Sequence, residues 1–300
     1  IGDDLLSTVI LACPSPIVVA PAMNTQMWKS PATKANLKLL RERGVIMIGP
    51  ESGLLACGDD DIGRMTEPKD ILTALEGIVR PVLDFSGKKV MVTAGPTREA
   101  LDPVRYLTNR SSGRMGIALA EAARDRGASV TLVLGPVAIQ PPSGVEVVKI
   151  ETTQQLYDAV ISRADVFDVV LQAAAPADYR PESASEAKIK KTGRKLTLTL
   201  VENPDVAKAL GERKAPGQIL VAFAAETGAN LENAREKRLK KNADLIVLND
   251  VTTPGAGFDV PTNIVTLIDR LGEEALPILT KREAADRILD RVQKLCSTAG

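Results

Sequence analysis

The chain contains no histidine in its 300 residues. This absence excludes a Ser-His-Asp triad, a Cys-His pair and His-ligated zinc, so acid–base chemistry must come from carboxylates, lysines, cysteine or the substrate itself. The three cysteines, Cys13, Cys57 and Cys296, are scattered without a C-x-x-C spacing. That pattern argues against a disulfide framework and against a thiolate metal site. We therefore expect a reducing, cytoplasmic environment.

Neither sign of charge is in excess, because 38 lysines and arginines balance 38 aspartates and glutamates. A balanced chain gives no reason to expect a nucleic-acid or anionic-membrane partner. The apolar runs are strand-sized and far shorter than the roughly 20 residues of a membrane span. The composition, with 44% hydrophobic and 25% charged residues, is that of a globular protein. The length corresponds to about two domains.

Strand patterns rich in β-branched residues alternate with amphipathic helix patterns along most of the chain. This alternation predicts an α/β fold with a Rossmann-like, mostly parallel sheet and helices on both faces. The chain starts inside a helical pattern, so we expect it to be part of a longer protein. The segment RPVLDFSGKK has no clear periodicity. It predicts a boundary that leaves a remnant domain at 1–80, a linker at 81–85 and a second domain at 86–300.

Two stretches predict hairpins instead of strand–helix units. The run KIKKTGRKLTLTLV, residues 188–201, has the pattern of two strands around Thr192 and Gly193. A last hairpin is predicted at 264–278. The predicted strands cover residues 17–20, 45–48, 89–93, 130–134, 166–173, 220–224 and 245–249. The predicted helices cover residues 32–43, 68–79, 115–126, 153–163, 204–212, 231–242 and 282–295.

The loop after strand 89–93 is the first candidate for a binding site, because ligands of parallel sheets bind at the carboxyl ends of the strands. The loop is long. Its last part contains Asn109, followed by Ser111, Ser112 and Gly113, and a predicted helix begins directly after them. Such small residues expose N–H groups to an anion, and the helix dipole favours negative charge there. A serine that only caps the helix is the alternative. The paired serines, the glycine and the flanking arginines favour phosphate binding.

A nicotinamide dinucleotide site is the main rival interpretation. The loop after the first strand does not fit G-x-G-x-x-G, and strand 130–134 is followed by Gly135 and Pro136. An acidic residue at that place would normally hold the ribose hydroxyls of NAD. A Rossmann-type oxidoreductase and an inactive nucleotide-binding assembly subunit remain as alternatives.

The loop AAAPADYRPES follows strand 166–173. Ala173–Ala175 would let a planar ring approach the backbone, and Asp178 could accept from a ribose hydroxyl or a base amine. A tight packing corner with a solvated aspartate is an equally good interpretation. Phe223 lies near another strand end in a chain with only 3% aromatic residues. It could stack on a base or belong to the core.

Lysines form two further candidate groups. Lys188, Lys190 and Lys191 precede the predicted hairpin, where they could bind phosphate or protect an edge strand. Lys237 and Lys241 stand four residues apart on one helix face. Taken alone, a solvated face is the simpler interpretation of that pair.

Several motifs in one order carry a more specific signal than any of them alone. The runs VTAGPTREALDPVRYLTNRSSGRMG, ADYRP, KIKK, ENPDV and FAAET resemble phosphopantothenate–cysteine ligases. Upstream, APAMNTQMW and LACGDDDIGRMTEP resemble the end of phosphopantothenoylcysteine decarboxylases. The order is similar to that of the bacterial bifunctional coenzyme A biosynthesis family, which fuses the two. The resemblance covers essentially the whole chain.

The resemblance implies a ligase that activates the carboxylate of 4′-phosphopantothenate with CTP and Mg²⁺, releasing pyrophosphate. The amine of cysteine then attacks the acyl cytidylate, and CMP leaves. The resemblance also implies a flavodoxin-like, FMN-dependent decarboxylase and a homo-oligomer with a ligase dimer. Concentrated phosphate charge requires lysines, backbone amides and a divalent cation, which agrees with the residue types described above.

Residue by residue, the resemblance implies that Asn109 holds the acyl intermediate and that Lys188 lies beside the α-phosphate. In the decarboxylase part, Asn24 would bind the substrate carboxylate, and Cys57 would protonate the enethiolate. The implied CTP pocket consists of Gln172, Ala173, Ala174, Asp178, Lys188, Pro204, Asp205, Val206, Ala207, Phe223, Lys237 and Lys241.

The chain departs from the family pattern in its decarboxylase part. The family's catalytic histidine is absent, and Asp61 stands where the flap usually has an extra glycine. The family's FMN phosphate-binding segment lies upstream of the position of Ile1. We therefore expect FMN in the full-length protein but not on this stretch, and we expect the ligase to be intact.

Overall fold

The computed structural model describes residues 2–54, 60–79, 82–191, 193, 195–226, 231–250, 257 and 260–297. Contacts divide the chain into two compact units, Ile1–Arg80 and Pro81–Gly300. Among the residues described, no helix combines the length and the apolar character that a bilayer crossing requires.

The first unit is a small α/β assembly. Its helices are Leu5–Ala12 (α1), Thr25–Lys29 (α2), Pro31–Glu42 (α3) and Pro68–Val79 (α4). Its strands are Val18–Val19 (β1), Ile46–Met47 (β2), Glu51–Leu54 (β3) and Asp60–Arg64 (β4). Strands β1 and β2 pair in parallel, whereas β3 and β4 form an antiparallel ribbon. Helices α3 and α4 each begin with a proline, which suits the first helical position because it has no N–H to leave unpaired.

The second unit holds a large, mostly parallel sheet. Its strands are Lys89–Ala94 (β5), Arg98–Ala100 (β6), Tyr106–Thr108 (β7), Ser129–Leu134 (β8), Glu146–Lys149 (β9), Val169–Gln172 (β10), Tyr179–Pro181 (β11), Leu200–Glu202 (β12), Ile219–Glu226 (β13), Leu245–Asp250 (β14), Thr262–Asn263 (β15), Val265–Asp269 (β16), Gly272–Ala275 (β17) and Leu279–Thr280 (β18). Its helices are Arg114–Asp125 (α5), Thr153–Ile161 (α6), Val206–Arg213 (α7), Leu231–Lys240 (α8) and Lys281–Ser297 (α9).

Eight of these strands pair in the order β17-β16-β14-β13-β10-β5-β8-β9. The six strands from β14 to β9 run parallel, and β16 and β17 extend the sheet as an antiparallel hairpin. Numbered along the chain, the parallel strands have the order 3-2-1-4-5-6, which is that of the Rossmann fold. The predicted α/β class with a mostly parallel sheet is confirmed.

Helices cover both faces of this sheet because each central strand is apolar on both sides. In β5, Val90 and Val92 belong to one core with α5 and α9. Met91 points to the opposite core, which α6, α7 and α8 share. This alternation follows from the two-residue period of a strand. The strands therefore read as continuous hydrophobic runs, as in parallel sheets buried on both faces.

The predicted hairpin at 188–201 is wrong among the residues described. Residues 188–191 and 195–199 are not in strands, and Leu200–Glu202 pairs instead with Tyr179–Pro181. The second predicted hairpin is present as β16 and β17. Phe85, which the sequence analysis assigned to the linker, is fully buried in the core of the second unit.

Helix α5 packs unusually close to β5 at Gly116. A Cβ at this position would lie 2.5 Å from the Cβ of Ala94 and 2.8 Å from the carbonyl oxygen of Thr93. Both are too short for a real contact, and the strand backbone cannot yield. A glycine is therefore required where this helix crosses the strand.

We predict that Gly116→Ala lowers the free energy of unfolding of the second unit by about 1–3 kcal/mol, the usual cost of overpacking a core. Equilibrium urea unfolding, followed by circular dichroism, measures this change. Gly77→Ala in α4 is the matched control, since a Cβ there meets nothing within 4 Å. That control should stabilise its helix by about 0.5–1 kcal/mol. An equal increase in the free energy of unfolding in both variants would contradict the close approach of α5 to β5 at Gly116.

Candidate active site

The order of the strands reverses between β5 and β10. In such sheets, the loops that follow the two strands leave toward opposite faces, and a crevice opens outside their carboxyl ends. The loop after β5 leads through β6 and β7 to α5, and the loop after β10 leads to β11. Most of the candidate residues of the second unit lie in these two loops or after β13.

Helix α5 begins with a cradle of small residues. Gly113 caps the helix in a left-handed conformation with φ of 75°, which a residue with a Cβ rarely adopts. A Cβ on Gly113 would also lie 2.7 Å from Val137 Cγ1. The Gly113 N–H donates to Ser111 Oγ at 3.4 Å, so Ser111 takes part in the turn. Among the residues described, no side chain caps α5, so the N–H groups of its first turn after Gly113 can bind an anion.

Asn109 joins the loops that follow β5 and β10. Its Nδ2 donates to the carbonyl oxygen of Pro176 at 2.8 Å. Nearby, the Ala175 N–H donates to the carbonyl oxygen of Gly95 at 2.9 Å. These bonds fix Asn109 against the alanine-rich loop, with which it lines a common cavity.

Thr93, at the end of β5, organises the beginning of the loop after β10. Its hydroxyl accepts from the Ala174 N–H at 3.0 Å and donates to Gln172 Oε1 at 2.9 Å. Gln172 is 5% exposed. Because its Oε1 is bound to Thr93, the amide is oriented with its Nε2 group on the other side. Gln172 thus lines the cavity with a fixed amide.

A cavity of about 270 Å³ opens between the ends of β10 and β13. Nine of the residues implied to bind CTP line it: Gln172, Ala174, Asp178, Pro204, Asp205, Val206, Ala207, Phe223 and Lys241. Asp205 caps α7 by accepting from the Lys208 N–H at 3.0 Å. The helix predicted at 204–212 therefore begins two residues later, at Val206, and Pro204 precedes its cap. Lys241 forms an ion pair with Asp205 at 3.5 Å.

A second cavity of about 410 Å³ adjoins the first. Among its lining residues are the predicted Asn109, Ser111, Ser112, Gly113 and Ala173. The two cavities share Ala174, Pro176, Asp178, Phe223 and Lys241. Phe223 is half-buried and packs on the core, while stacking on a base stays a prediction.

The second cavity also has lining residues that the sequence analysis missed. Asn249, Asn263 and Lys281 lie on its far wall. Lys281 is 7% exposed and donates to the carbonyl oxygen of Val260 at 2.6 Å. It stands at the first position of α9, where a cation opposes the helix dipole. That unfavourable position is the signal that could have identified it.

Two of the three lysines implied to bind CTP, Lys188 and Lys237, line neither cavity. Lys188 is exposed on the loop 182–199, next to Ile189, whose N–H and carbonyl oxygen are bound by Asp102 and Arg105. Lys237 is half-buried on α8, one turn before Lys241. The structure therefore brings Lys241 to the site but not the other two.

In the first unit, Asn24 lies beside the ribbon formed by β3 and β4. Its Oδ1 accepts from the Gln26 N–H at 2.8 Å and caps α2. The neighbouring Met23 N–H donates to the carbonyl oxygen of Gly63 at 3.0 Å. On the same ribbon, Asp61 pairs with Lys29, whose hydrogen bond holds the pKa of that carboxyl below its usual value. Cys57, predicted as the proton donor, lies outside the described residues.

The sheet order and the two adjoining cavities at the strand ends place the second unit in the class of Rossmann-like α/β proteins. Residues 85–295 match the model of the DNA/pantothenate metabolism flavoprotein C-terminal domain. Residues 1–80 match the Flavoprotein model. The chain belongs to the family of bifunctional coenzyme A biosynthesis proteins, whose members have ligase and decarboxylase activities.

Relatives cover both units. The coenzyme A biosynthesis bifunctional protein CoaBC of Vibrio vulnificus strain YJ016 is 44% identical over 296 residues, which are 98% of this chain and 74% of the relative. That of Bacillus subtilis strain 168 is 43% identical over 304 residues, or 100% and 75%. A crystal structure of the C-terminal domain of CoaBC is 41% identical, with a TM-score of 0.62 over 72% of this chain and 98% of that chain. The family inferred from the motifs is confirmed.

We predict that Thr93→Val lowers the free energy of unfolding by about 1–3 kcal/mol, because the buried Gln172 Oε1 and the partly buried Ala174 N–H both lose their partner. Urea unfolding checks this value. Thr131→Val is the matched control on β8, where the hydroxyl donates to the exposed Glu146 at 2.9 Å. Water can replace that bond, so the control should cost less. A larger cost for Thr131→Val would contradict the role of Thr93.

Proposed function

We propose that the second unit ligates cysteine to 4′-phosphopantothenate with CTP, through an acyl cytidylate. The observation that carries this proposal is the pair of adjoining cavities with a shared wall. A ligase of this kind must hold a nucleotide and an acid side by side, with the carboxylate at the α-phosphate. Two cavities that meet at Ala174, Phe223 and Lys241 suit that requirement.

The smaller cavity is proposed as the nucleotide site. Gln172 supplies a fixed amide, Phe223 supplies a ring, and Ala174 leaves room beside the backbone. Asp178 and Asp205 supply acceptors for sugar hydroxyls or for a base amine. Lys241 stands where the two cavities meet and can balance the charge of a phosphate.

The larger cavity is proposed as the 4′-phosphopantothenate site. The N–H groups of the first turn of α5, with Ser111 and Ser112, suit the dianionic phosphate end, which the dipole of α5 also favours. The opposite, carboxylate end would then approach the shared wall near Asn109. Its oxygen attacks the α-phosphorus of CTP, the bond to the β-phosphate oxygen breaks, and pyrophosphate leaves.

The second half-reaction consumes the acyl cytidylate. The cysteine amine attacks the acyl carbon, the bond to the phosphate oxygen of CMP breaks, and the amine gives up a proton. We propose that the Asn109 amide holds the acyl group, as the resemblance implies. Lys188 and Lys237 are proposed to balance phosphate charge, and Lys188 would do so from its exposed loop.

Mg²⁺ is proposed to arrive as part of the CTP substrate. A magnesium ion usually keeps several waters and is held by substrate phosphates with one or two carboxylates. Asp178 and Asp205 line the cavity proposed for the nucleotide.

For the first unit, we propose the substrate side of a decarboxylase site. The Flavoprotein model over residues 1–80 supports FMN as the cofactor of this activity. FMN, when bound, supplies the oxidation that precedes loss of carbon dioxide. Asn24 is proposed to bind the substrate carboxylate, since it lies next to the ribbon that leads to Cys57. Cys57 is proposed to donate a proton to the enethiolate product.

The strand order favours a second candidate function. Dinucleotide-dependent oxidoreductases have the same order of parallel strands. The acid that would bind ribose hydroxyls is missing, since β8 ends at Leu134 and Gly135 follows.

A ligase dimer and a cytoplasmic location remain predictions.

We predict that Lys188→Gln slows CTP-dependent ligation by about 30- to 1,000-fold, the effect of losing roughly 2–4 kcal/mol of transition-state stabilisation. The residue is exposed, so its loss should hardly affect folding. Pyrophosphate release with CTP, Mg²⁺, 4′-phosphopantothenate and cysteine measures the rate. Lys195→Gln, an exposed lysine of the same loop, is the matched control and should retain wild-type turnover. Near-normal turnover of Lys188→Gln would refute its role.

We also predict a preference for CTP over ATP and NADPH. The proposed nucleotide cavity is lined by alanines and by the rings of Phe223 and Tyr179. Backbone groups with the Gln172 amide can bind the edge of a cytosine. Catalytic efficiency of ligation with CTP and with ATP, at saturating Mg²⁺, measures the preference. A titration with NADPH tests the oxidoreductase alternative. Equal efficiency with ATP would contradict the assignment of the base, and tight NADPH binding would favour the oxidoreductase.

A further inference from the structure

Asp102 lies in the short loop between β6 and β7, and its side chain is fully buried. Its Oδ1 accepts from the N–H groups of Val104 at 2.8 Å and Arg105 at 2.9 Å. Its Oδ2 accepts from Arg105 Nε at 3.0 Å and from the Ile189 N–H at 3.1 Å. One buried carboxylate therefore binds its own turn and a residue 87 positions further along the chain.

Arg105 completes the contact with the distant loop. Its guanidinium donates to the carbonyl oxygen of Ile189 at 2.9 Å. Both backbone groups of Ile189 are therefore taken by the Asp102–Arg105 pair. A further bond runs from the Ser185 N–H to the carbonyl oxygen of Leu101 at 3.0 Å. The loop is held on both sides of Lys188, three residues before it and one residue after it.

The same hairpin leads directly to Asn109. Strand β7 ends at Thr108, whose hydroxyl donates to the carbonyl oxygen of Thr97 at 2.7 Å. Asn109 follows and bonds to Pro176. One rigid hairpin thus has the start of the Lys188 loop at its tip and Asn109 at its base.

We propose that Asp102 is a positioning residue for the ligation, which sets the place of Lys188 relative to Asn109 by holding the backbone of Ile189. This inference rests on the proposed function of Lys188. Asp102 itself lines neither cavity, so it acts only through the lysine.

The charge of the carboxylate is part of this arrangement. The hydrogen bond from Arg105 holds the pKa of Asp102 well below its usual range, although burial opposes this shift. A lowered folded-state pKa means that the contribution is complete above the ordinary carboxyl pKa of about 3.9 and is lost only as the pH falls below it. Asp102 is therefore ionised throughout the neutral range, and an amide in its place removes the charge.

Asp102→Asn should lower kcat for pyrophosphate release by about 10- to 100-fold, the cost of a small displacement of a catalytic group. KM for CTP should change much less, because the nucleotide cavity contains neither Asp102 nor Ile189. Limited trypsin digestion gives a readout independent of activity. Cleavage after Lys188, Lys190 or Lys191 should become faster in the variant than in the wild-type protein.

Asp84→Asn is the matched control. Asp84 forms a similar pair with Arg126, the residue that follows the C-terminal end of α5. The Oδ1 of Asp84 accepts from Arg126 Nε at 2.8 Å. The change should lower stability without altering kcat or the cleavage after Lys188. If Asp102→Asn does not fold, Ile189→Pro deletes the same N–H while leaving the Asp102–Arg105 pair intact. It should reproduce the loss of kcat.

A double variant separates positioning from a general loss of structure. Because Asp102 acts only through Lys188, Asp102→Asn combined with Lys188→Gln should be no slower than Lys188→Gln alone. The inference would be overturned if the kcat losses of the two single variants multiplied in the double variant. It would also be overturned if Asp102→Asn kept the kcat and the trypsin cleavage rate of the wild-type protein. Neither result would affect the proposed function. If the wild-type chain releases no pyrophosphate with CTP, the proposed function fails. If the wild-type chain is active and Lys188→Gln has the same kcat, the role of Lys188 fails, and the positioning inference fails with it.

Discussion

The reversal of strand order between β5 and β10 is the constraint on which the rest of the second unit depends. The crossover from β5 to β8 places α5 on one face, and the crossover from β9 to β10 places α6 on the other. Right-handed crossovers leave no other arrangement. The loops after β5 and β10 must therefore diverge, and the space between them becomes a cleft. The Thr93 hydroxyl bridges the two strands at that point and fixes the first residues of the loop after β10.

The sequence predicted the repeating part of the fold because strand and helix periods are local signals. It failed where short segments pair over long distances. The stretch 188–201 alternates like a hairpin, yet both backbone groups of Ile189 bond to Asp102 and Arg105. Of its described residues, only the last two, at the start of Leu200–Glu202, pair with another strand. The edge strand Glu146–Lys149 was missed because four residues with one apolar pair carry too little pattern.

The candidate site was predictable to the extent that its residues lie in loops after parallel strands. Asn109, Gly113 and Asp178 were found in this way, and the structure brings them to one cavity. Asn263 and Lys281 come from the antiparallel part of the unit, where β15 pairs with β18. No rule of strand ends applies there, so their approach to α5 could be known only from the tertiary structure. Their roles, like those of the predicted residues, remain to be tested.

The ion pair between Lys241 and Asp205 has a strength that suits a site which must empty after each turnover. Both side chains are partly exposed, at 30% and 48%. Such pairs contribute only about 0.2–1 kcal/mol, so the lysine can exchange Asp205 for a phosphate at little cost. Asp205 meanwhile keeps its hydrogen bond from the Lys208 N–H, and the start of α7 stays capped. A buried, fully paired lysine would lack this freedom, because losing one partner of a buried pair costs several kcal/mol. The cavity proposed for the nucleotide can therefore be preformed in shape while Lys241 changes partners.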